Sequence, residues 1–286
     1  MNLSAREINE AVRLALREDV GRGDATTLAL VPARLPARAR MVAREPLVVA
    51  GLDFATATFK AVSSAVRVER LAKDGEKLRA EQTLLRLAGP ARALLTAERT
   101  ALNFVQRLSG IATLTAKYVR AVAGTKAQIL DTRKTTPGWR RFSKYAVLCG
   151  GGRNHRIGLF DMVLIKDNHL AASRGEKPNP IAAAVQRARR ACPRLKVEVE
   201  ADTLEQVRQA AEAGADFILL DNMSPATLRK AVALVQGRAL TEASGGVTLK
   251  TVRAIAQTGV DFISVGALTH SAPAVDVALD FETADA

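Results

Sequence analysis

Short apolar runs alternate with amphipathic helical stretches along the second half of the chain. From about residue 125 onward the runs are AQIL (127–130), MVLI (162–165), LKVEV (195–199), FILL (217–220), ALTEA (239–243) and FISV (262–265). The last four begin 22 or 23 residues apart, which leaves room for one strand, one helix and two tight turns. The pattern predicts repeated βα units with parallel strands.

One of these units repeats in sequence. AEAGADFI (211–218) and AQTGVDFI (256–263) share A-x-x-G-x-D-F-I at an offset of 45 residues, which is two units. In each copy we expect the glycine to end a helix just before the next strand. The repeat favours a (β/α) barrel, complete or partial, over a doubly wound sheet.

The first 110 or so residues have a different pattern, typical of an α+β module. Its strand-like pieces are ARARMVA (37–43), LVVAG (47–51), VRVERLA (66–72) and TLLRLAG (83–89), with a helical stretch around residues 54–62. Residues 1–20 have an amphipathic helical pattern, and apolar spacings of three or four predict a long helix over residues 98–124. From Pro273 onward, Val275, Val277 and Leu279 are interpreted as a further short helix.

Composition indicates a soluble globular protein. Of 286 residues 48% are hydrophobic, and the longest clean apolar run, near residues 47–52, is far shorter than a membrane helix requires. The charged, amphipathic N-terminus does not resemble a signal peptide, so we expect a cytoplasmic protein with no membrane partner. Cys149 and Cys192 lie 43 positions apart, outside any C-x-x-C, and are expected to be reduced thiols.

The chain is strongly basic, with a formal charge of +13. Nucleic-acid modules usually combine basic residues with interleaved aromatics, whereas this chain has 1 Trp, 2 Tyr and 8 Phe and no RNP-like run. Between Asp131 and Leu170, eight Lys and Arg face three Asp, a local net charge of +5. Anionic small molecules therefore fit better as partners than nucleic acid, although a solvated basic face is the alternative.

Polar or small residues stand where each predicted strand ends. In parallel βα folds the chemistry gathers at these carboxyl ends. A lone acidic residue after a strand is more often a helix cap, but six such ends together favour a site. The ends are Asp131 to Lys134, Lys166 to His169, Glu200, Asp221 with Asn222, Glu242 to Gly246, and Gly266 with Ala267.

The residue types suggest a division of labour. Glu200 and Asp221, from adjacent strands, can hold Mg²⁺ through oxygen ligands shared with water and phosphates. Ser244, Gly245 and Gly246, like Gly266 and Ala267, follow the last two strands, where barrels commonly bind phosphate through backbone N–H groups. A tight turn is the simpler reading of the Gly-Gly pair.

The cations form the third group. Arginine presents a planar fork and lysine a point charge, so together they suit carboxylates and pyrophosphate. This group comprises Arg133, Lys134, Arg153, Arg156 and Lys166, with His155 among them. It predicts a highly anionic pair of substrates.

Covalent catalysis has less support. No G-x-S-x-G motif occurs, and Cys149 lies in a glycine-rich stretch that more plausibly shapes a loop. Lys166 at a strand end is compatible with a Schiff-base lysine of an aldolase-type barrel. That reading, and a structural ion pair of the same lysine, stay open as alternatives.

Several motifs resemble those of the quinolinate phosphoribosyltransferase family. They are EDVGRGDATT (18–27), ERTALNFVQRLSGIAT (98–113), DTRKTTPGWR (131–140), GGGRNHRIGLFD (150–161), IKDNH (165–169), VEVE (197–200), LLDN (219–222), EASGGV (242–247) and SVGALTHS (264–271). The likeness spans nearly the whole chain. A molybdate-associated family shares the fold and part of the pattern, but the R-N-H-R segment at residues 153–156 favours the quinolinate family.

The resemblance implies an α/β fold: an N-terminal α/β sandwich over residues 1–112, then an open, seven-stranded α/β barrel over residues 113–286. The extreme C-terminal helix is expected to pack on the first domain. The resemblance also implies a homodimer with the site shared between subunits. Six of the seven strands are predicted from the apolar runs.

The resemblance further implies the reaction: quinolinate and phosphoribosyl pyrophosphate give nicotinate mononucleotide, pyrophosphate and CO₂, with Mg²⁺. Residues matching the family's quinolinate-binding positions are Arg99, Arg133, His155, Arg156 and Lys166. Those matching its phosphoribosyl pyrophosphate and metal contacts are Lys134, Glu200, Asp221, Ser244, Gly245, Gly246, Gly266 and the adjacent Ala267. Lys134, Lys166, Glu200 and Asp221 are the expected catalytic residues, since they can neutralise pyrophosphate and stabilise an oxocarbenium-like centre.

Overall fold

A computed structural model describes residues 1–171 and 175–282. The helices are α1 (Ala5–Val20), α2 (Ala25–Leu30), α3 (Leu52–Val62), α4 (Ala91–Ala121), α5 (Arg140–Cys149), α6 (Asp167–Ala171), α7 (Pro180–Ala191), α8 (Leu204–Glu212), α9 (Pro225–Val235), α10 (Val252–Ala256) and α11 (Ala267–His270). The strands are β1 (Pro36–Ala43), β2 (Leu47–Val48), β3 (Arg67–Arg70), β4 (Lys77–Leu78), β5 (Thr83–Pro90), β6 (Gln128–Leu130), β7 (Val163–Ile165), β8 (Val197–Ala201), β9 (Phe217–Asp221), β10 (Leu240–Ser244), β11 (Phe262–Ser264) and β12 (Val277–Phe281).

The contacts divide the chain into two compact units. The first unit contains Met1–Ala116, Arg141–Gly151 and the described residues from Ser271 onward, and the second contains Lys117–Arg140 and Gly152–His270. The units are therefore discontinuous along the sequence. The domain boundary at residue 112 stays a prediction.

The first unit is built on an antiparallel sheet with strand order β12-β1-β5-β3. Side chains alternate across β1, so that Ala39 and Met41 are buried while Arg38 and Arg40 are exposed. The buried face joins side chains of α3 and α4 in one apolar cluster that includes Phe59, Leu85, Leu94 and Leu102. The sandwich character predicted for this part of the chain is confirmed.

Helix α4 is longer than the sequence pattern indicated. It begins at Ala91, directly after Pro90 at the end of β5, rather than near residue 98. Residues 91–97 carry Ala91, Ala93, Leu94 and Ala97 on the buried side, and they continue the helical spacing toward the N-terminus.

The C-terminal helix expected after Pro273 is wrong. Residues Val277–Phe281 form strand β12, which pairs antiparallel with β1 from Ala43↔Val277 to Ala39↔Phe281. Val275, Val277 and Leu279 are two residues apart, which is the period of a strand, and all three are buried in the apolar cluster. The tail therefore belongs to the first unit through a strand at the sheet edge rather than through a helix.

A missing side chain lets the tail approach α4. A Cβ at Gly110 would lie 2.0 Å from the Pro273 carbonyl oxygen, so only glycine permits this contact. Nearby, the Val275 N–H donates to the Gln106 carbonyl and the Gln106 side-chain amide donates to the Val277 carbonyl. These contacts hold the last strand against the long helix.

The second unit contains a parallel six-stranded sheet with strand order β7-β8-β9-β10-β11-β6. Its strands coincide with the six apolar runs, so the predicted βα repeat is confirmed. Glycines close the repeated units as expected, since Gly214 and Gly259 have positive φ values of 77° and 89°. Helices α7, α8 and α9 lie between successive strands.

A seventh sheet position is occupied by one residue. Arg153 forms a parallel bridge with Leu130: its N–H donates to the Ile129 carbonyl, and its carbonyl accepts from the Asp131 N–H. Arg153 precedes β7 in sequence, where the seventh strand belongs in a barrel of successive parallel strands. Within the residues that the structure describes, the open barrel thus consists of six strands and one bridge.

Within the described residues, no helix has both the length and the apolar character that crossing a membrane requires.

Candidate active site

The carboxyl ends of the parallel strands bring the predicted residues of the second unit to one edge of the sheet. Glu200 and Asp221 lie at the ends of β8 and β9, and Ser244 ends β10. Lys166 follows β7 directly, and Gly266 follows β11 after one residue. Parallel register places these ends side by side, as the sequence predicted.

Asp131 organises the loop that carries the R-N-H-R segment. This carboxylate is fully buried, and its two oxygens accept from the His155 backbone N–H at 2.9 Å and the Asn154 side-chain amide at 2.6 Å. A buried carboxylate needs such donors to offset its lost hydration. Asp131 therefore fixes where His155 and Arg156 leave the sheet.

His155 faces two buried carboxyl groups. Its Nε2 lies 3.0 Å from Glu198 Oε2 and 3.4 Å from Glu242 Oε2. Burial, followed by the negative charge of Glu198, raises the pKa of Glu242 to about 8, and the nearby His155 opposes the shift. The three side chains could also offer ligand atoms to a metal ion, since these atoms all lie within 4.8 Å of one another.

Two guanidinium groups accompany this cluster. Burial and then the positive charge of Arg133 lower the pKa of Arg156, while Glu198 and Asp161 act in the opposite direction. Arg156 Nη1 donates to the Met162 carbonyl at 3.1 Å. Arg133 Nε is buried without a hydrogen-bond partner among the described residues, so this donor is available to an incoming acceptor.

Lys166 forms an ion pair with Glu200. Its Nζ lies 2.5 Å from Glu200 Oε2, and the lysine side chain is 45% exposed against 14% for the glutamate. A Schiff-base lysine is activated by an apolar pocket or by another cation. Lys166 has a carboxylate partner and water access instead, so its surroundings do not favour the aldolase alternative.

Glu200 and Asp221 offer a donor set that fits Mg²⁺. In the β8–β9 register Glu200 pairs with Leu219, two residues before Asp221, so both acidic side chains leave the same face of the sheet. Asp221 Oδ2 also accepts from the Asn222 side-chain amide at 2.6 Å. Two carboxylates are a usual protein contribution to Mg²⁺, which takes its other ligands from water and phosphates.

The Gly245-Gly246 turn has a packing reason of its own. Both glycines have positive φ, 92° and 57°, and a Cβ at Gly245 would lie 2.0 Å from Asn222 Oδ1. The turn therefore brings Ser244 and the glycine backbone against the end of β9. Both glycines are exposed, which leaves their surface open to a ligand.

Lys134 and Gly266 come together beside α11. The Thr269 hydroxyl donates to the Lys134 carbonyl at 2.7 Å. A Cβ at Gly266 would lie 3.2 Å from Lys134 Cδ and 3.1 Å from His270 Nε2. Glycine thus leaves room for the lysine side chain beside the start of α11, where Ala267 is the first helical residue.

Arg99 belongs to a different unit from the other predicted residues. It lies on α4 in the first unit, with an exposed side chain, whereas the other predicted residues all belong to the second unit. Burial raises the pKa of the preceding Glu98, and the charge of Arg99 partly offsets the shift. The role of Arg99 stays a prediction.

Among the buried acids of the cluster, Glu198 was not singled out from the sequence, and Asp131 and Glu242 were named only as strand ends without a role. The signal was present in V-E-V-E, where period-two alternation puts Glu198 on the same face as Glu200. Glu242 has the same relation to Ser244. Alternation could therefore have extended the predicted site one layer deeper into the barrel.

Comparison with protein families assigns both parts of the chain. Residues 24–109 match the N-terminal domain of quinolinate phosphoribosyl transferase, and residues 111–280 match the C-terminal domain of the same family. The matched C-terminal segment is itself more than half of the chain.

Individual relatives agree. The nicotinate-nucleotide pyrophosphorylase [carboxylating] of Mycobacterium leprae is 47% identical, covering 95% of this chain and 96% of the relative. The chloroplastic protein of that name from Arabidopsis thaliana is 43% identical, covering 97% and 83%.

Solved structures show the same fold over nearly all of this chain. The nicotinate-nucleotide pyrophosphorylase from Francisella tularensis superposes with a TM-score of 0.92 at 40% identity, covering 98% of each chain. NadC from Streptococcus pyogenes gives 0.93 at 39% identity, covering 99% and 100%. By domain matches, sequence identity and fold together, this chain belongs to the quinolinate phosphoribosyl transferase family.

Proposed function

We propose that this protein transfers the phosphoribosyl group of phosphoribosyl pyrophosphate to quinolinate and releases CO₂. The products are nicotinate mononucleotide and pyrophosphate. The observation that carries the proposal is a layer of cations, Arg133, Arg156 and Lys166, beside the acidic strand ends Glu200 and Asp221. Both substrates are polyanions, and the sugar centre becomes positive during transfer, so both signs of charge are needed.

The cations bind the dicarboxylate. Arg133 has a buried Nε without a partner in the described structure, and a carboxylate oxygen satisfies such a donor. Arg156 keeps its guanidinium beside Arg133, where an anion between them relieves their repulsion. Lys166 exchanges part of its contact with Glu200 for the substrate when quinolinate enters.

The transfer step forms a bond between the pyridine nitrogen and the sugar C1 while the bond from C1 to pyrophosphate breaks. Glu200 and Asp221 stabilise the positive charge that develops at the sugar, and Lys134 neutralises the departing pyrophosphate. Ser244 and the Gly245-Gly246 backbone hold the phosphate end of the donor. No covalent enzyme intermediate is required.

Decarboxylation follows transfer. Once alkylated, the pyridine nitrogen is positive, so the bond to the adjacent carboxylate breaks with its electrons left on the ring carbon. A proton then fills that position and restores a neutral C–H. The protein orients the ring and excludes competing acceptors.

Glu200 and Asp221 would hold Mg²⁺, since they supply carboxylate oxygens on one face of adjacent strands. The ion supplies charge neutralisation and orientation of the pyrophosphate group when bound.

Turnover by purified protein tests the proposal. We expect nicotinate mononucleotide, pyrophosphate and CO₂ in equal amounts from the two substrates with Mg²⁺, and no product without quinolinate. Lack of product from folded protein contradicts the proposal. Trapping of a borohydride-reduced adduct on Lys166 would instead support the aldolase reading.

Nicotinate should not replace quinolinate. It lacks one of the two carboxylates, and leaving a fixed cation unpaired in a closed site costs about 1–3 kcal/mol. We therefore expect kcat/KM for nicotinate to be lower by tenfold or more, on the order of that cost. Comparable kcat/KM values for nicotinate and quinolinate would show that the cations do not bind both carboxylates.

We further propose a homodimer in which Arg99 of one subunit completes the other subunit's site. Arg99 is exposed on α4, outside the βα repeat whose strand ends supply the other residues. An exposed arginine inside a helix otherwise contributes only tenths of a kcal/mol, about the value of a surface pair.

Subunit mixing tests this proposal. Arg99→Ala and Glu200→Ala proteins are each expected to be inactive. After random exchange of equal amounts, half the dimers are mixed and each has one intact site, so activity should return to about a quarter of wild type. A mixture that stays inactive, with exchange verified by mass, would place Arg99 outside the partner's site.

A further inference from the structure

Two buried carboxyl groups beneath the proposed quinolinate site have no assigned role. Glu198 and Glu242 are 0% and 2% exposed and lie on β8 and β10. The two carboxyl groups share a hydrogen bond with each other, Ser264 bonds Glu242, and the His155 ring approaches both. Burying such groups costs stability, so their presence calls for a function or a strong compensating charge.

Both ring nitrogens of His155 are engaged by the protein. Nδ1 accepts the Arg156 backbone N–H at 2.7 Å, and Nε2 lies 3.0 Å and 3.4 Å from carboxyl oxygens of Glu198 and Glu242. A ring nitrogen that accepts a hydrogen bond carries no proton, so the ring proton is on Nε2, facing the acids. In this arrangement neither nitrogen points a donor at a substrate.

The contacts therefore run in sequence from the acids to the arginine. Glu198 and Glu242 fix Nε2, the ring fixes the Arg156 backbone through Nδ1, and Asp131 holds the His155 N–H on the other side. The negative charge of Glu198 also acts on Arg156, where it favours the charged guanidinium and so raises its pKa. Supporting partners of this kind orient a binding group without touching the ligand.

We propose that Glu198 and Glu242 are positioning residues for the dicarboxylate: they orient the His155 ring, which places Arg156 through its backbone N–H. His155 thus acts through Arg156 rather than by contact with quinolinate. This inference rests on the proposed function for the identity of the ligand, although its geometric part can be tested without turnover.

Histidine NMR tests the geometry first. The chain contains three histidines, so ¹⁵N-histidine labelling gives three imidazole spin systems. The spin system that is missing from the spectrum of His155→Asn belongs to His155. In the full-length wild type we expect His155 at neutral pH to be the neutral tautomer with the proton on Nε2. Glu198→Leu removes the charged acceptor and should change the Nε2–H signal or its exchange rate. A His155 ring protonated on Nδ1 would overturn the inference, whatever the enzyme's activity.

Kinetics then separates positioning from direct contact. In His155→Asn the introduced amide oxygen can replace Nδ1 as acceptor for the Arg156 N–H, whereas His155→Gln places its amide nearer the Nε2 position. We expect the KM for quinolinate to rise less in His155→Asn than in His155→Gln, with the KM for phosphoribosyl pyrophosphate nearly unchanged in both. The reverse order would mean that Nε2 contacts the substrate, and the inference fails.

The acids are tested in the same assay. Loss of a hydrogen bond to a charged group costs about 1.5–3 kcal/mol, so Glu198→Leu should raise the quinolinate KM by about tenfold or more. Glu198→Gln keeps a carbonyl acceptor and should recover part of this loss. Thr241→Val is the matched control, because Thr241 is buried on β10 but bonds Asp261 instead of His155. It should lower thermal stability without a selective change in either KM.

Three results would overturn the inference. One is a Glu198→Leu protein that folds and keeps the wild-type quinolinate KM. Another is an equal rise of both KM values in Glu198→Leu and Thr241→Val, which indicates general disorder of the barrel. The third is stoichiometric Mn²⁺ or Zn²⁺ binding to wild type that Glu242→Gln abolishes, which would make His155, Glu198 and Glu242 a metal site.

If Glu198→Leu does not fold, the comparison of His155→Asn with His155→Gln tests the inference instead. Absence of turnover in wild type refutes the proposed function separately.

Discussion

Both sheets of this protein bury apolar side chains, but the parallel sheet also buries acids. On the antiparallel sheet the buried face of β1 and β5 carries Met41 and Leu85, which join an apolar cluster with Phe59. In the parallel unit, Glu198 and Glu242 are equally buried on β8 and β10. Apolar burial stabilises a fold by about 25 cal/mol per Å², whereas buried charge costs free energy unless it is paired.

The difference separates stability from function along one chain. The first unit can be optimised for packing, because the side chains of its apolar cluster carry no polar atoms. The second unit holds acids and cations in fixed places before a substrate arrives, which lowers the reorganisation needed during reaction. Substitutions in the apolar cluster should therefore affect mainly stability, whereas substitutions among the acids and cations of the second unit should also affect substrate recognition.

The largest effect is expected in the apolar cluster. Phe59→Ala removes a fully buried ring from the first unit and should lower the free energy of unfolding by about 3–5 kcal/mol. Chemical denaturation of wild type and variant measures the loss, while kcat per folded molecule at low temperature should change little. A loss below about 1 kcal/mol would mean that this sheet does not depend on its apolar contacts.

The buried acids should behave in the opposite way. The raised pKa of Glu242 means that the folded protein holds a proton which the unfolded chain loses above about pH 4.5. The facing groups are Glu198, His155 and Ser264. The contribution of this group to the free energy of unfolding is therefore fully present below about pH 4.5. It is lost as the pH rises toward about 8, because the folded protein must then ionise a buried carboxyl group.

Glu242→Gln removes this dependence. At pH 8 we expect the variant to be more stable than wild type by about 1–3 kcal/mol, with the difference vanishing near pH 4.5. Denaturation curves at several pH values give the difference directly. A variant that is less stable than wild type at pH 8 would show that Glu242 is ionised and well paired.

Substrate recognition should depend on the cation layer without a matching loss of stability. Arg156→Ala should raise the KM for quinolinate by about tenfold or more, and more than the KM for phosphoribosyl pyrophosphate. Arg189→Ala is the matched control, because Arg189 pairs with Asp216, which precedes β9 at the opposite end of the sheet. A larger effect on phosphoribosyl pyrophosphate would reverse the assignment of Arg156.

The smallest effect is expected at Cys149. Burial and then the charge of Asp74 raise the pKa of its thiol to about 12, which leaves almost no thiolate at neutral pH. Cys149→Ser should change kcat by less than about twofold, as expected for a thiol outside the chemistry. Loss of turnover in a folded variant would instead support a nucleophilic role for the Cys149 thiol.

Most of the framework was predictable from local pattern. The six apolar runs gave the six parallel strands, and the polar residues after them gave Glu200, Asp221 and Ser244 at one edge. The same reasoning gave Arg133 and Lys134 in the loop after β6, and the family motifs added Arg99. The prediction of a helix for the tail was wrong. Three apolar residues at a spacing of two form too short a pattern to distinguish a strand from a helix, and the sequence does not show that the edge of β1 pairs with this segment.

The βα repeat, the strand-end residues and the family could all be predicted from the sequence, because periodicity and motif spacing are local properties of the chain. The three-dimensional fold was needed to show that β12 completes the first sheet and that Arg153 supplies the seventh position of the second. The fold also brings His155 to face Glu198 and Glu242, residues 43 and 87 positions away in sequence. Such contacts depend on which strands become neighbours and which faces turn inward, and no local pattern contains that distance information.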